Sequence, residues 1–399
     1  MHSKKESIIK YKILYTLIVL IIYTLGKSIP LYMVDMTVYM DKSINTDDLL
    51  IQTISGDIYQ CSVLALGISP YMISSLLVQI VSLFFKADKR SKLSPKKMAK
   101  ISLAITFIIA AIQAAIKVSD LQFSVTGNML NLARMISFAE MITGAMIIVW
   151  LTGRCKRFGL GGQSVLILAN VIDSIRVMTA DYDIEVLKIP LLISFFAMII
   201  TIIMDNAEKR IPVQRISIHN IYADKNYMAI KLNPIGVMPA MFSTAFFLLP
   251  QLALALLLKI FPDNAEIIWC TNNMSLEKPL GIATYVVILY MLSIIFSRAF
   301  INPRDITEQY LKSGDSIVNL HAGRETRKYL SKSINHISFA SATIMSVCLL
   351  LPIVLNVYGY IGSKLIALPS MTMMITGLWC NLYREYTAVK NLQAYKPFI

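Results

Sequence analysis

The chain of 399 residues is 56% hydrophobic and only 16% charged, with a mean hydropathy of +0.62. That much apolar surface cannot be buried in one water-soluble core of this length, which excludes a soluble enzyme or binding domain and makes the bilayer the solvent. The formal charge of +14 sits in the segments between apolar runs, so it reads as topology and adhesion to anionic lipid rather than as affinity for nucleic acid.

Ten apolar runs approach the roughly 20 residues of a bilayer-spanning helix. They fall at about 13–32, 63–85, 101–118, 134–152, 164–180, 189–205, 236–258, 280–300, 334–356 and 364–382. The first, ILYTLIVLIIYTLG, runs on without a small-residue cleavage site and so reads as a span rather than a leader.

Lys and Arg set the orientation. Lys4, Lys5, Lys10 and Lys12, then KADKRSKLSPKKMAK, then GRCKRFG, then the loops after the sixth and eighth runs, then Arg384, Lys390 and Lys396 all fall on one side. The other side keeps scattered bases such as Lys42, Lys188 and Lys278 among Asp35, Asp41, Asp47, Asp48, Asp57, Asp181, Asp183 and Glu185. The positive-inside rule therefore puts both termini in the cytoplasm of a multi-pass cell-membrane protein.

Cys61, Cys155, Cys270, Cys348 and Cys380 are scattered, without C-x-x-C or a His at metal spacing, and read as buried apolar thiols. No phosphate-binding, zinc-protease or hydrolase motif occurs, so no catalytic residue, cofactor or metal is expected.

One pattern recurs. GISPYMIS (Gly67 to Ser74) returns about 170 residues later as GVMPAMFS (Gly236 to Ser243), at the starts of the second and seventh runs. These are equivalent positions if the chain is two halves of five spans, and an odd number of spans per half inverts one against the other. Helix initiation by Gly-x-x-Pro in each place is the alternative. The stretch ahead of the first copy, with Gln52, Ser55, Gly56, Asp57 and Gln60, is too polar to face lipid and too apolar for an ordinary loop. It reads either as a re-entrant piece against a water-filled cavity or as a surface amphipathic hairpin.

SGDIYQCSVLALGISPYMISSLLVQIV, FGLGGQSVLILANVI, EKRIPVQ, AIKLNPIGVMPAMFSTAFFLLP and FINPRDITEQYLKSGDSIVNLHAGRETRKYL occur in the order and spacing of the SecY family of protein-conducting channels, a resemblance that covers essentially the whole chain. The resemblance implies an all-α polytopic membrane fold of ten helices in two inverted five-helix halves, a clamshell. Residues 1–180 would form the first half and 181–399 the second, with a plug at about 49–62 and cytoplasmic loops at about 206–235 and 301–333. It implies a lateral gate where the second and third spans meet the seventh and eighth, carrying Pro70, Gln113 and Pro239. It also implies a pore ring of Ile68, Met72, Ile167, Val171 and Met241, with the tenth-span member unplaced. A narrow aliphatic constriction dewets when empty and seals around a passing chain, which suits that role. Met stands at two ring positions where branched residues are usual in the family, though Met is common in this chain, with 22 copies. Gln113 needs a partner from another helix and reads either as a gate contact or as an ordinary interhelical tie.

The same resemblance assigns Lys209, Arg210, Arg215, His321, Arg324, Arg327 and Lys328 to loops that dock a motor. Here the chain departs from the family. RISIHNIYADKNYMAIKLNP is shorter and less basic than its counterpart, HAGRET replaces R-P-G-x-x-T, and LTGRCKRFGLGG replaces an acidic segment. Losing an Arg to His removes a permanent bidentate donor, so an unaltered partner would not dock unchanged. Altered docking loops on a short chain resemble the accessory SecY of some Gram-positive bacteria. That branch implies a dedicated SecA-type ATPase, accessory Sec proteins, small SecE/SecG-like subunits and unfolded, serine-rich glycosylated preproteins. A divergent housekeeping SecY and a small-solute transporter with inverted repeats are the alternatives. Against the transporter, Lys27, Glu140, Asp173, Arg176 and Arg298 lie mostly toward span ends rather than at mid-membrane.

Overall fold

The structure is a computed structural model that describes residues 2–35, 61–84, 95–125, 127–180, 182–214, 226–233, 236, 238–261, 264–275, 278–321 and 323–394. A lipid environment offers no hydrogen bonds to a bare backbone, so the apolar runs close their own as helices. These are α1 (His2–Lys27), α2 (Ser69–Phe84), α3 (Pro95–Asp120), α4 (Asn128–Phe158), α5 (Gln163–Ala180), α6 (Ile184–Asn206) and α7 (Met238–Ile260). A short α8 (Ala265–Asn273) precedes α9 (Pro279–Phe300), and α10 (Pro303–Ser313) precedes α11 (Arg324–Val357) and α12 (Leu368–Ala394).

A helix stands over every one of the predicted runs, but only eight of them are, among the described residues, long and apolar enough to cross a membrane. The other two are α2, of 16 residues, and α7, whose apolar stretch Leu249–Leu258 is the part that stands out. Both follow the repeated Gly-x-x-Pro pattern. Gly67 has φ +55° and Gly236 φ +68°, left-handed conformations that an L side chain resists, and each turns the chain sharply two residues before helix begins. The second element therefore starts at Ser69 rather than at the predicted 63.

Other predicted ends shift for local reasons. The first helix stops at Lys27, and the chain then turns back: Leu31 N donates to Cys61 O at 2.9 Å and Val63 N to Ile29 O at 3.0 Å. The ninth begins at Arg324 instead of 334, because Thr326 Oγ1 donates to the His321 carbonyl at 2.8 Å and starts the helix within the loop.

The two loops predicted at about 206–235 and 301–333 hold regular structure. Strands β1 (Glu208–Gln214), β2 (Tyr227–Lys231) and β3 (Ser316–Ile317) form a sheet in the order β2-β1-β3. Both pairings are antiparallel, with Ile211 opposite Met228 and Val213 opposite Ile317. Ile211, Ile230 and Ile317 bury against Leu330, Ile334 and Ile337 of α11, so segments from both loops share one small core. The fold is mostly helical, and this sheet is the exception to the all-α expectation.

The main apolar core runs through both predicted halves. α2 packs against α7 and α9, α3 against α7, and α5 against α12.

Candidate pore, gate and docking platform

Ile68, Met72, Ile167 and Val171 are each 0% exposed and belong to one apolar cluster. Ile68 stands just before α2, where its carbonyl accepts from Met72 N at 3.0 Å, and Ile167 and Val171 are one turn apart on one face of α5. Phe242 of α7 joins the cluster, its ring 5.5 Å from that of Phe296 on α9. The side chain of Met241 lies outside the described residues. Met371, Met373 and Met374 of α12 are buried in the same cluster. They fall in the run MTMM of the tenth predicted span, whose pore-ring member the resemblance does not place.

Pro70 and Pro239 are buried in the first turns of α2 and α7. Proline suits that position because its missing N–H would be unpaired there in any case. Gln113, 5% exposed, accepts a 3.1 Å hydrogen bond from Ser69 Oγ. Its partner among the described residues is thus on α2. Lys117, one turn further along α3, donates to the Ala65 carbonyl at 3.0 Å. Of the predicted plug, residues 49–60 lie outside the described residues, whereas Cys61 and Ser62 are buried and held to residues 29–31 by the pairing above.

Several polar groups of α1 and α5 pair with one another. Lys27 Nζ lies 2.8 Å from Asp173 Oδ2 and 4.9 Å from the Tyr23 ring, and Tyr23 Oη donates to Asn170 Oδ1 at 2.9 Å. Asp205, at the end of α6, differs. It is 0% exposed and, among the described residues, both carboxylate oxygens lack a hydrogen-bond partner, while Arg384 donates to its main-chain carbonyl instead. Gly236 approaches that carboxylate from the start of α7.

The predicted docking bases divide. Lys209 and Arg210 belong to β1, Arg324, Arg327 and Lys328 to the first turns of α11, and His321 precedes that helix; all six are exposed. The shared core of sheet and α11 therefore gathers bases from the two loops onto one platform. Arg215 lies outside the described residues. Arg210 is already engaged, its Nε 2.9 Å from Glu208 Oε1 and its guanidinium 4.7 Å from the Tyr227 ring. The hydrogen bond to Glu208 raises its pKa further above the ordinary arginine value.

The five cysteines are free thiols, three buried and two partly so. Among the described residues no three His, Cys, Asp or Glu side chains gather to hold a metal.

The SecY family model matches residues 62–376. An accessory Sec system protein translocase subunit SecY2 from Streptococcus agalactiae is 31% identical, covering 98% of this chain and 96% of the relative. A counterpart from Leuconostoc gelidum is 29% identical and covers 84% of each chain, and a protein translocase subunit SecY from Mycoplasma capricolum is 28% identical. Among solved structures, a protein-conducting channel superposes with a TM-score of 0.70 at 15% identity, covering 96% of this chain and 93% of that one. A canine Sec61 channel in its ribosome complex superposes at 0.62. With the ordered motifs, the helices and the near full-length match, the chain belongs to the SecY family.

Proposed function

We propose that the chain is the channel subunit of an accessory Sec export system, passing unfolded preproteins across the cell membrane with both termini in the cytoplasm. The observation that carries this is the near full-length likeness to accessory translocase subunits, alongside docking loops that depart from the housekeeping pattern. In this reading Ile68, Met72, Ile167, Val171 and Met241, with the methionines of α12, form the deformable constriction. Helices α2 and α3 part from α7 and α9 to open sideways into lipid, and residues about 49–60 fill the outer funnel as a plug. The exposed bases of the platform receive a dedicated SecA-type ATPase, small SecE/SecG-like subunits brace the helices, and the cargo is serine-rich and glycosylated.

Proteoliposomes carrying the chain with its small subunits test this. With ATP and the dedicated motor, a serine-rich preprotein should become protected from added protease, and the housekeeping motor should not substitute. Equal drive by the housekeeping motor would refute the accessory branch alone. No protection with any motor would refute the channel role.

A further inference from the structure

Buried carboxylates are ordinarily held by hydrogen bonds, and one left without them calls for an account of what it is kept for. Asp205, in the last turn of α6, has both oxygens in that condition among the described residues. Its main-chain carbonyl is better served, because Arg384 of α12 donates to it. A cation suits the orphan carbonyls of a helix C-terminus. The guanidinium is thereby engaged with the main chain, and the side chain beside it stays bare.

What the carboxylate meets is the turn into α7. The empty Cβ position of Gly236 lies 3.6 Å from Asp205 Oδ1 and 3.7 Å from Nδ2 of Asn381, on α12. Gly236 therefore sits against a bare acceptor on one helix and a donor on another, and its own Cα–H is at best a weak donor. The turn is held there by the main chain: Gly236 N donates to Asn233 O at 3.3 Å, and Leu232 N to Ala207 O at 2.7 Å. A φ of +68° and the missing side chain let the chain come this close. Helices α6 and α12 pack along one another, so acceptor and donor share one frame. By contrast α7, which starts two residues beyond Gly236, packs against α2 and α9.

We propose that Asp205 is a positioning residue for channel opening: when α7 withdraws with its Gly236 turn, the carboxylate accepts a hydrogen bond from Asn381 Nδ2 that the seated turn prevents. A carboxylate unmet in the closed arrangement and met in the open one favours the open one by the difference, and a differential interaction of this kind is what biases a two-state equilibrium. The assignment rests on the channel reading, in which α7 is one wall of the gate.

Single-channel recording in planar bilayers, with the full chain, its small subunits, motor, ATP and preprotein, reads the open fraction. Asp205→Asn and Asn381→Leu should each lower it roughly tenfold, the worth of one hydrogen bond to a charged group. Together they should lower it no further, since both remove the same bond. The exchanged pair, Asp205→Asn with Asn381→Asp, should recover most of it, because donor and acceptor have only changed places. Melting in detergent supplies a readout that a merely structural residue would not give. Asp205→Asn should open less often yet melt higher, and Asn381→Leu should melt as wild type because the bond is absent from the closed arrangement. An open fraction unmoved by either substitution, as a water permanently bridging the two groups would give, would overturn the proposal. So would additive losses, failure of the exchanged pair, or a lower midpoint for Asp205→Asn. All of these leave wild-type conduction intact, so the channel reading survives them, whereas a wild type that never conducts sinks both.

Discussion

Ser69 Oγ donates to Gln113 Oε1 at 3.1 Å inside the protein, fastening the first turn of α2 to the middle of α3. Both helices come from the same predicted half, so this bond need not break when the halves part. Replacing Ser69 by Ala and Gln113 by Leu, singly and together, should give a coupling energy of about 0.6 kcal/mol in thermal unfolding, the typical value for a polar tie between membrane helices. Idle conductance in planar bilayers should not rise. A leaky Gln113→Leu channel would show that the bond restrains the gate after all.

The plug reading gives a cleaner deletion than the sequence alone suggests. Cys61 and Ser62 are buried and paired with residues 29–31, so a deletion should stop short of them. Removing residues 49–60 should leave a channel that inserts and exports but passes small ions, because an aliphatic ring alone seals imperfectly. Planar-bilayer conductance indistinguishable from wild type would reject the assignment.

Met72 is fully buried where the constriction is proposed. Changing Met72 and Met241 to Ile is roughly volume-conserving and should cost less than about 1.5 kcal/mol each. Export of a bulky glycosylated cargo should slow more than that of a plain polypeptide, since branched side chains yield less than thioethers. Cysteines at the two positions should cross-link through a short flexible reagent in the idle channel, and failure to do so would mean the two motifs do not face each other.

On the platform, Lys209, Arg324, Arg327 and Lys328 are exposed. Reversing these four to Glu should weaken binding of the motor ATPase in a salt-dependent manner with little change in unfolding, because solvated charges contribute at most about 1 kcal/mol each. Arg210 is a poorer choice: its reversal would also break the pair with Glu208 and the stack on Tyr227. Undiminished motor affinity would leave these bases serving topology alone.

Asp205 supplies a stability test. An acid buried without a hydrogen-bond partner costs several kcal/mol, offset in part by the charges of Arg384 and Lys231 nearby. Asp205→Asn keeps the volume and removes the charge, and should raise the thermal midpoint in detergent by about 2 °C. A lower midpoint would show that the two cations hold the carboxylate more strongly than burial penalises it.

Most of the helices were legible because a bilayer leaves a continuous apolar run few other options, and the positive-inside pattern is written directly in Lys and Arg. The Gly-x-x-Pro echo was legible as a pattern, but its left-handed glycines at 67 and 236 were not, since the pattern suits ordinary helix starts as well. The sheet was missed because its strands are short and lie in different loops; the alternation in KRIPVQ and YMAIK signals strands, yet the pairing of Val213 with Ile317 joins residues about a hundred positions apart. The partner of Gln113 was equally out of reach, because a lone polar residue states a need without saying which helix answers it.

The shared core of β1, β2, β3 and α11 has a mechanical consequence. The sheet sits between the end of α6 and the start of α7, clasped where Leu232 N donates to Ala207 O at 2.7 Å, while α10 and β3 follow directly from α9. The same small block is therefore tied to the end of α6 by that bond and to the end of α9 through Ile301, which packs against its core. Two helices driven from separate loops could swing independently, each with its own hinge. Tied to one block they share a crank, and a single stroke against it would displace both ends together.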